Sequence, residues 1–161
     1  MRYAALSEIT EAQEWRQLAE AIVCGIELPT SFKDAFSTYW IVAGHHIREQ
    51  IDDDRLLCQM LRSTTPPYNG GSLKLYRGEN MDRWNSSTIG LSWTPNIEVA
   101  RMFGRGLNSV GSGGMLLIGT FSQGAIISGP NEHSVYLQEY QYTVDPMLAD
   151  DLLVIERYPP A

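Results

Sequence analysis

Pro66-Pro67-Tyr68-Asn69-Gly70-Gly71 divides the sequence into two textures, and the fold follows from what lies on either side. Prolines do not extend a helix and paired glycines pack no side chain, so regular structure stops there. Upstream, apolar residues recur at helical spacing. Trp15, Leu18, Ala19, Ile22 and Val23 form one such face, with Thr10 and Gln13 expected to make a capping box before it and Gly25 to end it. Ser31 is expected to cap a second helix through Phe32, Ala35, Phe36, Tyr39 and Trp40 towards Ile47. Asp52 to Asp54 would open a third through Leu56, Leu57, Met60 and Leu61.

Downstream the pattern is one of short strands: Leu73 to Tyr76, Met115 to Phe121, Ala125 to Ser128, Ser134 to Val144 and Leu152 to Glu156. One helix interrupts them, with Thr94 as its N-cap, Pro95 at the first helical position, and Val99, Ala100, Met102 and Phe103 facing inward. The glycine-rich Gly104 to Gly114 follows a helix and precedes a strand, the reverse of a dinucleotide fingerprint, and reads as a mobile loop. The fold class is therefore α+β. A helical layer over residues 1–66 is expected against a mixed, mostly antiparallel sheet over 73–157, within a single domain spanning residues 1–161.

The 12 Lys and Arg against 19 Asp and Glu leave a net charge of −7, which disfavours nucleic acid and anionic membrane as partners of the chain as a whole. A local basic patch remains compatible with that balance. Cys24 and Cys58 lie far apart, without Cys-x-x-Cys spacing or a neighbouring His, and read as reduced packing residues. His45 and His46 are adjacent, so on a helix they diverge by about 100° and do not face one metal. The first residues contain no apolar signal segment, and no apolar run approaches the roughly 20 residues of a membrane span. The expected location is cytoplasmic, or inside a target cell after delivery without a classical signal peptide.

Three polar stretches carry the chemistry: Leu75-Tyr76-Arg77-Gly78, Ser92-Trp93-Thr94 and Glu139-Tyr140-Gln141. Arg77 offers a planar, permanently charged fork suited to phosphate, and Gly78 lets the backbone approach a flat ligand closely. The bland reading of Arg77 is an ion pair with a nearby carboxylate. Ser92 and Thr94 share one face of an extended segment while Trp93 takes the other, although helix capping already explains Thr94. Glu139 and Gln141 would likewise share a strand face, opposite Tyr140 and Tyr142, which is also how an ordinary solvated strand looks.

Taken together, Arg77 in LYRG, Ser92-Trp93-Thr94 before a helix, and the late EYQYTVDP strand resemble the arginine, Ser-Thr-Ser and Glu-x-Glu motifs of ADP-ribosyltransferases of the arginine-serine-glutamate class, which includes many bacterial toxins. The resemblance spans about Leu73 to Pro146. It implies a split β-sandwich that clamps NAD as substrate, without a metal. Arg77 would hold the phosphates, Gly78 the nicotinamide amide, and Ser92 the ribose and the catalytic acid. Tyr76 and Thr94 would complete the NAD contacts, with Trp93 or Phe103 as a nicotinamide platform unless both are core residues.

The family's catalytic acid is the second Glu of Glu-x-Glu, and that place falls on Gln141, with Glu139 in the first. An amide bonds a ribose hydroxyl but carries no charge. Three alternatives stand: a shifted register makes Glu139 the acid, another acid such as Glu132 enters the site, or the chemistry is impaired. The resemblance implies transfer of ADP-ribose to a macromolecular acceptor, a protein rather than nucleic acid, which His133 could touch, together with an antitoxin or immunity partner and no membrane. A NAD glycohydrolase and a non-catalytic NAD-binding module are the competing functions.

Overall fold

The computed structural model describes the backbone of residues 3–160 and, within that span, every side chain except those of Tyr3, Ala4, Glu132 and His133. The chain divides into two compact units, Met1–Pro67 and Tyr68–Ala161, at the Pro-Pro break.

The first unit is helical: α1 (Tyr3–Glu11), α2 (Trp15–Val23), α3 (Thr30–Ile51) and α4 (Asp54–Thr64). Trp15, Ala19 and Ile22 of α2 are buried, as their spacing requires, whereas Val23 is exposed. Thr10 does not form the expected capping box. It sits in the last turn of α1, and its hydroxyl accepts the Trp15 indole N–H at 2.8 Å and bonds the Tyr39 hydroxyl at 2.6 Å. A side chain that ties three helices together has outcompeted a local cap. Ser31 likewise lies inside α3, which begins after Pro29. Asp53 does cap α4, its carboxylate accepting the Leu56 N–H at 3.1 Å, and Asp52 ends α3 in the left-handed region at φ 49°. The rings of His45 and His46, both exposed on α3, lie side by side with centroids 3.9 Å apart.

The second unit contains β1 (Leu73–Asn80), α5 (Met81–Asn85), β2 (Ser92–Trp93), α6 (Ile97–Arg105), β3 (Gly114–Phe121), β4 (Ile126–Ser128), α7 (Glu132–Tyr136), β5 (Tyr142–Val144) and β6 (Asp150–Tyr158). They form two antiparallel three-stranded sheets, β1-β3-β6 and β2-β5-β4. Leu75, Met115, Leu117 and Phe121 of the first sheet share one core with Trp93, Ile126 and Val144 of the second, so the sheets meet face to face. An isolated bridge between Tyr76 and Thr94 links the β1 edge to the end of β2.

Helix α6 covers the other face of the first sheet, where Ala100 and Ile97 pack with Tyr76, Leu116 and Tyr158. Its backbone comes so close that a Cβ on Gly78 would collide with the Ala100 carbonyl and the Gly104 N–H. That contact alone demands glycine at position 78. The helix therefore buries Ala100, as expected, together with Gly104, while Met102 is exposed and Phe103 and Val99 are half-buried, unlike the inward positions expected for those three. Its N-cap is Asn96, whose side-chain oxygen accepts from Glu98 and Val99, and not Thr94.

Two further segments differ from expectation. Ser134 to Val144 is not one strand, because the Asn131 side chain accepts the Ser134 N–H at 2.8 Å and starts α7 instead. Gln138 and Tyr140 then take positive φ of 59° and 49°, and only Tyr142–Val144 is extended. The stretch from Gly104 to Gly114 is not a loose loop either. It completes α6, makes a 3-10 turn at Leu107–Ser109, and is held by the Asn80 amide, which donates to the Asn108 carbonyl at 3.1 Å and the Val110 carbonyl at 2.7 Å. Among the described residues, no helix is long and apolar enough to cross a membrane.

Candidate functional site

Alternation along β1 sends Leu75, Arg77 and Glu79 to the face that carries the shared core, and Tyr76 and Gly78 to the face under α6. Two residues apart on one face, Arg77 and Glu79 meet. The Arg77 Nε–H donates to Glu79 Oε2 at 2.6 Å, Nη2 to Oε1 at 3.5 Å, and Nη1 to the Ser92 carbonyl at 2.9 Å. Glu79 is fully buried, and its carboxylate also accepts the Asn80 N–H and the Gly90 N–H, each at 2.8 Å. A Cβ on Gly90 would strike the Arg77 guanidinium, so the loop passes directly over the fork.

Burial pushes the Glu79 carboxyl towards protonation. The charge of Arg77, the hydrogen bonds from its side chain and those from the Gly90 and Asn80 backbone outweigh that, and hold the pKa below the ordinary glutamate value. Glu79 is a site residue that the sequence reading misses: it stands two residues after Arg77, and that spacing makes an i, i+2 pair only because β1 extends to Asn80 and not to Tyr76. The bland reading of Arg77 is thus realised, in a buried form.

The segments carrying the three motifs are neighbours. The Tyr76 N–H donates to the Thr94 carbonyl at 2.7 Å, and the Thr94 N–H returns to Tyr76 at 2.9 Å. In the β2–β5 ladder Ser92 pairs with Thr143 and Trp93 with Tyr142, a register that, carried one residue further, sets Gln141 level with Thr94. Glu139 and Gln141 are not on a strand. The Ser134 carbonyl accepts the Glu139 N–H at 3.0 Å, and the buried Ser134 hydroxyl accepts the Gln141 N–H at 2.6 Å. Both side chains are half-buried, and neither makes a hydrogen bond among the described residues. The same holds for the Ser92 hydroxyl, which stands on the face of β2 opposite the core residue Trp93.

The other expected NAD contacts divide differently. Trp93 is fully buried, donates its indole N–H to the Gly90 carbonyl at 2.9 Å and packs edge-on against Phe121 at 5.0 Å, so it is a core residue and not a ligand platform. Thr94 is buried, with its hydroxyl accepting the Asn96 N–H at 3.1 Å. The Gly78 carbonyl already accepts the Asn108 amide at 2.7 Å. Phe103 lies on α6, across the first sheet from the Arg77 side chain, and is not brought to it. The side chains of Glu132 and His133 lie outside the described residues. Among the described residues, no group of three or more His, Cys, Asp or Glu is placed to hold a metal ion. No family model matches the chain, and neither a curated protein nor a solved structure matches it.

Proposed function

We propose that the protein is a mono-ADP-ribosyltransferase that cleaves NAD and passes ADP-ribose to a macromolecular acceptor, a protein rather than nucleic acid, in the manner of a bacterial or phage toxin or effector. The observation that carries this reading is the adjacency of the three motif segments: Arg77 is bonded to Ser92, Tyr76 is bridged to Thr94, and β2 is paired with the strand that follows Gln141. Two antiparallel sheets meeting face to face and linked at Tyr76–Thr94 also suit the split sandwich of that class.

In this chemistry the bond between ribose C1′ and the nicotinamide nitrogen breaks, and nicotinamide leaves with the electron pair. The acceptor's nucleophile then bonds to C1′ and gives up its proton. Charge develops on the ribose as in glycoside cleavage, so fixed negative charge beside it is the largest contribution a protein can make. Arg77 would face the phosphates with the donors it has left, and Ser92, Glu139 and Gln141 supply polar groups that nothing in the described protein consumes.

A second reading is a NAD-binding module without turnover, favoured by the amide at Gln141 and by the commitment of much of Arg77 to Glu79. A NAD glycohydrolase shares the cleavage step, with water as acceptor. Incubation with NAD, with and without cell lysate, separates the three. Nicotinamide release that rises with lysate and labels a macromolecule is expected; release unaffected by lysate indicates hydrolysis, and binding without release indicates the module. Ligand at a hundred times its Kd should add about 2.7 kcal/mol of stability, and absence of any NAD-dependent thermal shift removes all three.

A further inference from the structure

We infer that Glu79 is a positioning residue for Arg77: its carboxylate fixes the guanidinium between β1 and β2 with a defined set of N–H groups left for an anionic ligand. The inference rests on the ADP-ribosyltransferase reading for the identity of that ligand, NAD, but not for the hold on Arg77 itself. The geometry is that of a built holder. Glu79 is fully buried, yet its two oxygens receive Arg77 Nε, Arg77 Nη2, the Asn80 N–H and the Gly90 N–H. The two backbone donors fix the carboxylate independently of Arg77, so the carboxylate is the fixed partner and the arginine the one being aimed.

Of the five donors of a guanidinium, three are committed to Glu79 and to the Ser92 carbonyl, and each terminal nitrogen keeps one. The side chain is 12% exposed, whereas that of Glu79 is wholly buried. Gly90 closes over the fork on one side, where any side chain would strike it. An arginine held by one edge, roofed by a glycine and tied to the motif serine's carbonyl has little rotamer freedom left to lose when an anion binds. Glutamine at position 79 would keep the shape but lose the charge, and its amide NH2 would face donors where the second carboxylate oxygen accepts.

The test uses the full chain, with NAD as probe and inorganic pyrophosphate as a second anion. Affinities are measured for the parent, Glu79→Gln, Arg77→Ala and the double variant, and the Arg77 Nε–H resonance is followed by ¹⁵N NMR, assigned by its loss in Arg77→Lys. The expected result is a protected Nε–H in the parent that is displaced or broadened in Glu79→Gln, with NAD affinity about tenfold weaker, the scale of one displaced charge-assisted bond. Because Glu79 acts through Arg77, Glu79→Gln should cost nothing further in the Arg77→Ala background.

An unchanged Nε–H signal in Glu79→Gln overturns the inference, as does an equal loss of affinity with and without Arg77. A parent that binds neither probe defeats the ADP-ribosyltransferase reading, while the resonance still decides whether Glu79 holds Arg77. Should Glu79→Gln fail to fold, Glu79→Asp carries the same comparison, because it keeps the charge and shortens the reach; unchanged affinity with a displaced Arg77 signal then overturns the role.

Discussion

Arg77 and Gln141 flank the same pair of short strands but are secured by opposite means. Arg77 is held through its side chain, by a buried carboxylate and a strand carbonyl. Gln141 is held through its backbone: the Ser134 hydroxyl accepts its N–H, residues 138 and 140 turn the chain at positive φ, and the side chain is left unengaged among the described residues. Position 77 therefore depends on the identity of its partners, whereas position 141 keeps its place whatever side chain it carries. Chemistry should be adjustable at the second place without disturbing the fold, and at the first it should not.

The largest effect expected from this contrast is on stability. Glu79→Ala strands the Arg77 charge in a buried setting and should cost about 3–5 kcal/mol, read as a fall in the denaturation midpoint. The linked pH dependence has a definite sign. The folded pKa of Glu79 lies below its ordinary value of 4.5, so the contribution is complete above that value and is lost as pH falls through the lowered one. The double variant Arg77→Met/Glu79→Gln should lack this acid limb in denaturation curves; an identical limb would assign it to other carboxylates.

Next in size is Gln141→Glu. On the proposed transferase reading, a carboxylate there would stand beside the developing ribose cation and be worth about 3 kcal/mol of barrier, or roughly two orders of magnitude in nicotinamide release, while stability should stay within about 0.5 kcal/mol of the parent. Glu139→Gln should mainly impair transfer to the acceptor. If Glu139→Gln abolishes release and Gln141→Glu does nothing, Glu139 is the acid.

Ser134→Ala tests the backbone hold. It leaves the Gln141 N–H without its acceptor, at about 1–3 kcal/mol, and the Gln141 amide should exchange hydrogen much faster while the β1–β3 amides do not. The smallest effect separates two candidate caps. Asn96→Ala should cost about 1 kcal/mol and Thr94→Ala less, since only Asn96 serves the first N–H groups of α6; the reverse order in thermal unfolding would return the cap to Thr94.

The same contrast explains what could be read in advance. The α+β class, the break at Pro66-Pro67 and strands such as Met115 to Phe121 followed from local pattern, because each buries a face with its own period. The pairing of Arg77 with a carboxylate was visible as an alternative, but the choice of Glu79 required knowing that β1 runs on to Asn80. The Glu139–Gln141 strand was misjudged because alternating polar and aromatic residues imitate a half-buried strand. The Asn131 side chain and two residues at positive φ, features without periodicity, decide the conformation there. Of the residues expected to face inward on α6, Ala100 does, but close approach to β1 favours the small Ala100 and Gly104 and leaves Met102 exposed and Phe103 half-buried.

Asn80 has a consequence for handling the protein. Its side chain reaches carbonyls 28 and 30 residues along the chain, Met81 N–H donates to the Gly113 carbonyl at 2.9 Å, and Asp82 accepts the Ser112 N–H at 3.2 Å. The glycine-rich stretch exposes Leu107 and Val110, bulky residues that an endoprotease would seek. Cleavage, however, requires several residues to detach and extend into the enzyme's cleft, and three consecutive residues, Asn80 at the end of β1 and Met81 and Asp82 after it, resist that detachment. The segment most like a nicking site by composition is therefore a poor place to divide, tag or circularly permute the chain, because its ends would be separated from the β1 terminus that organises them.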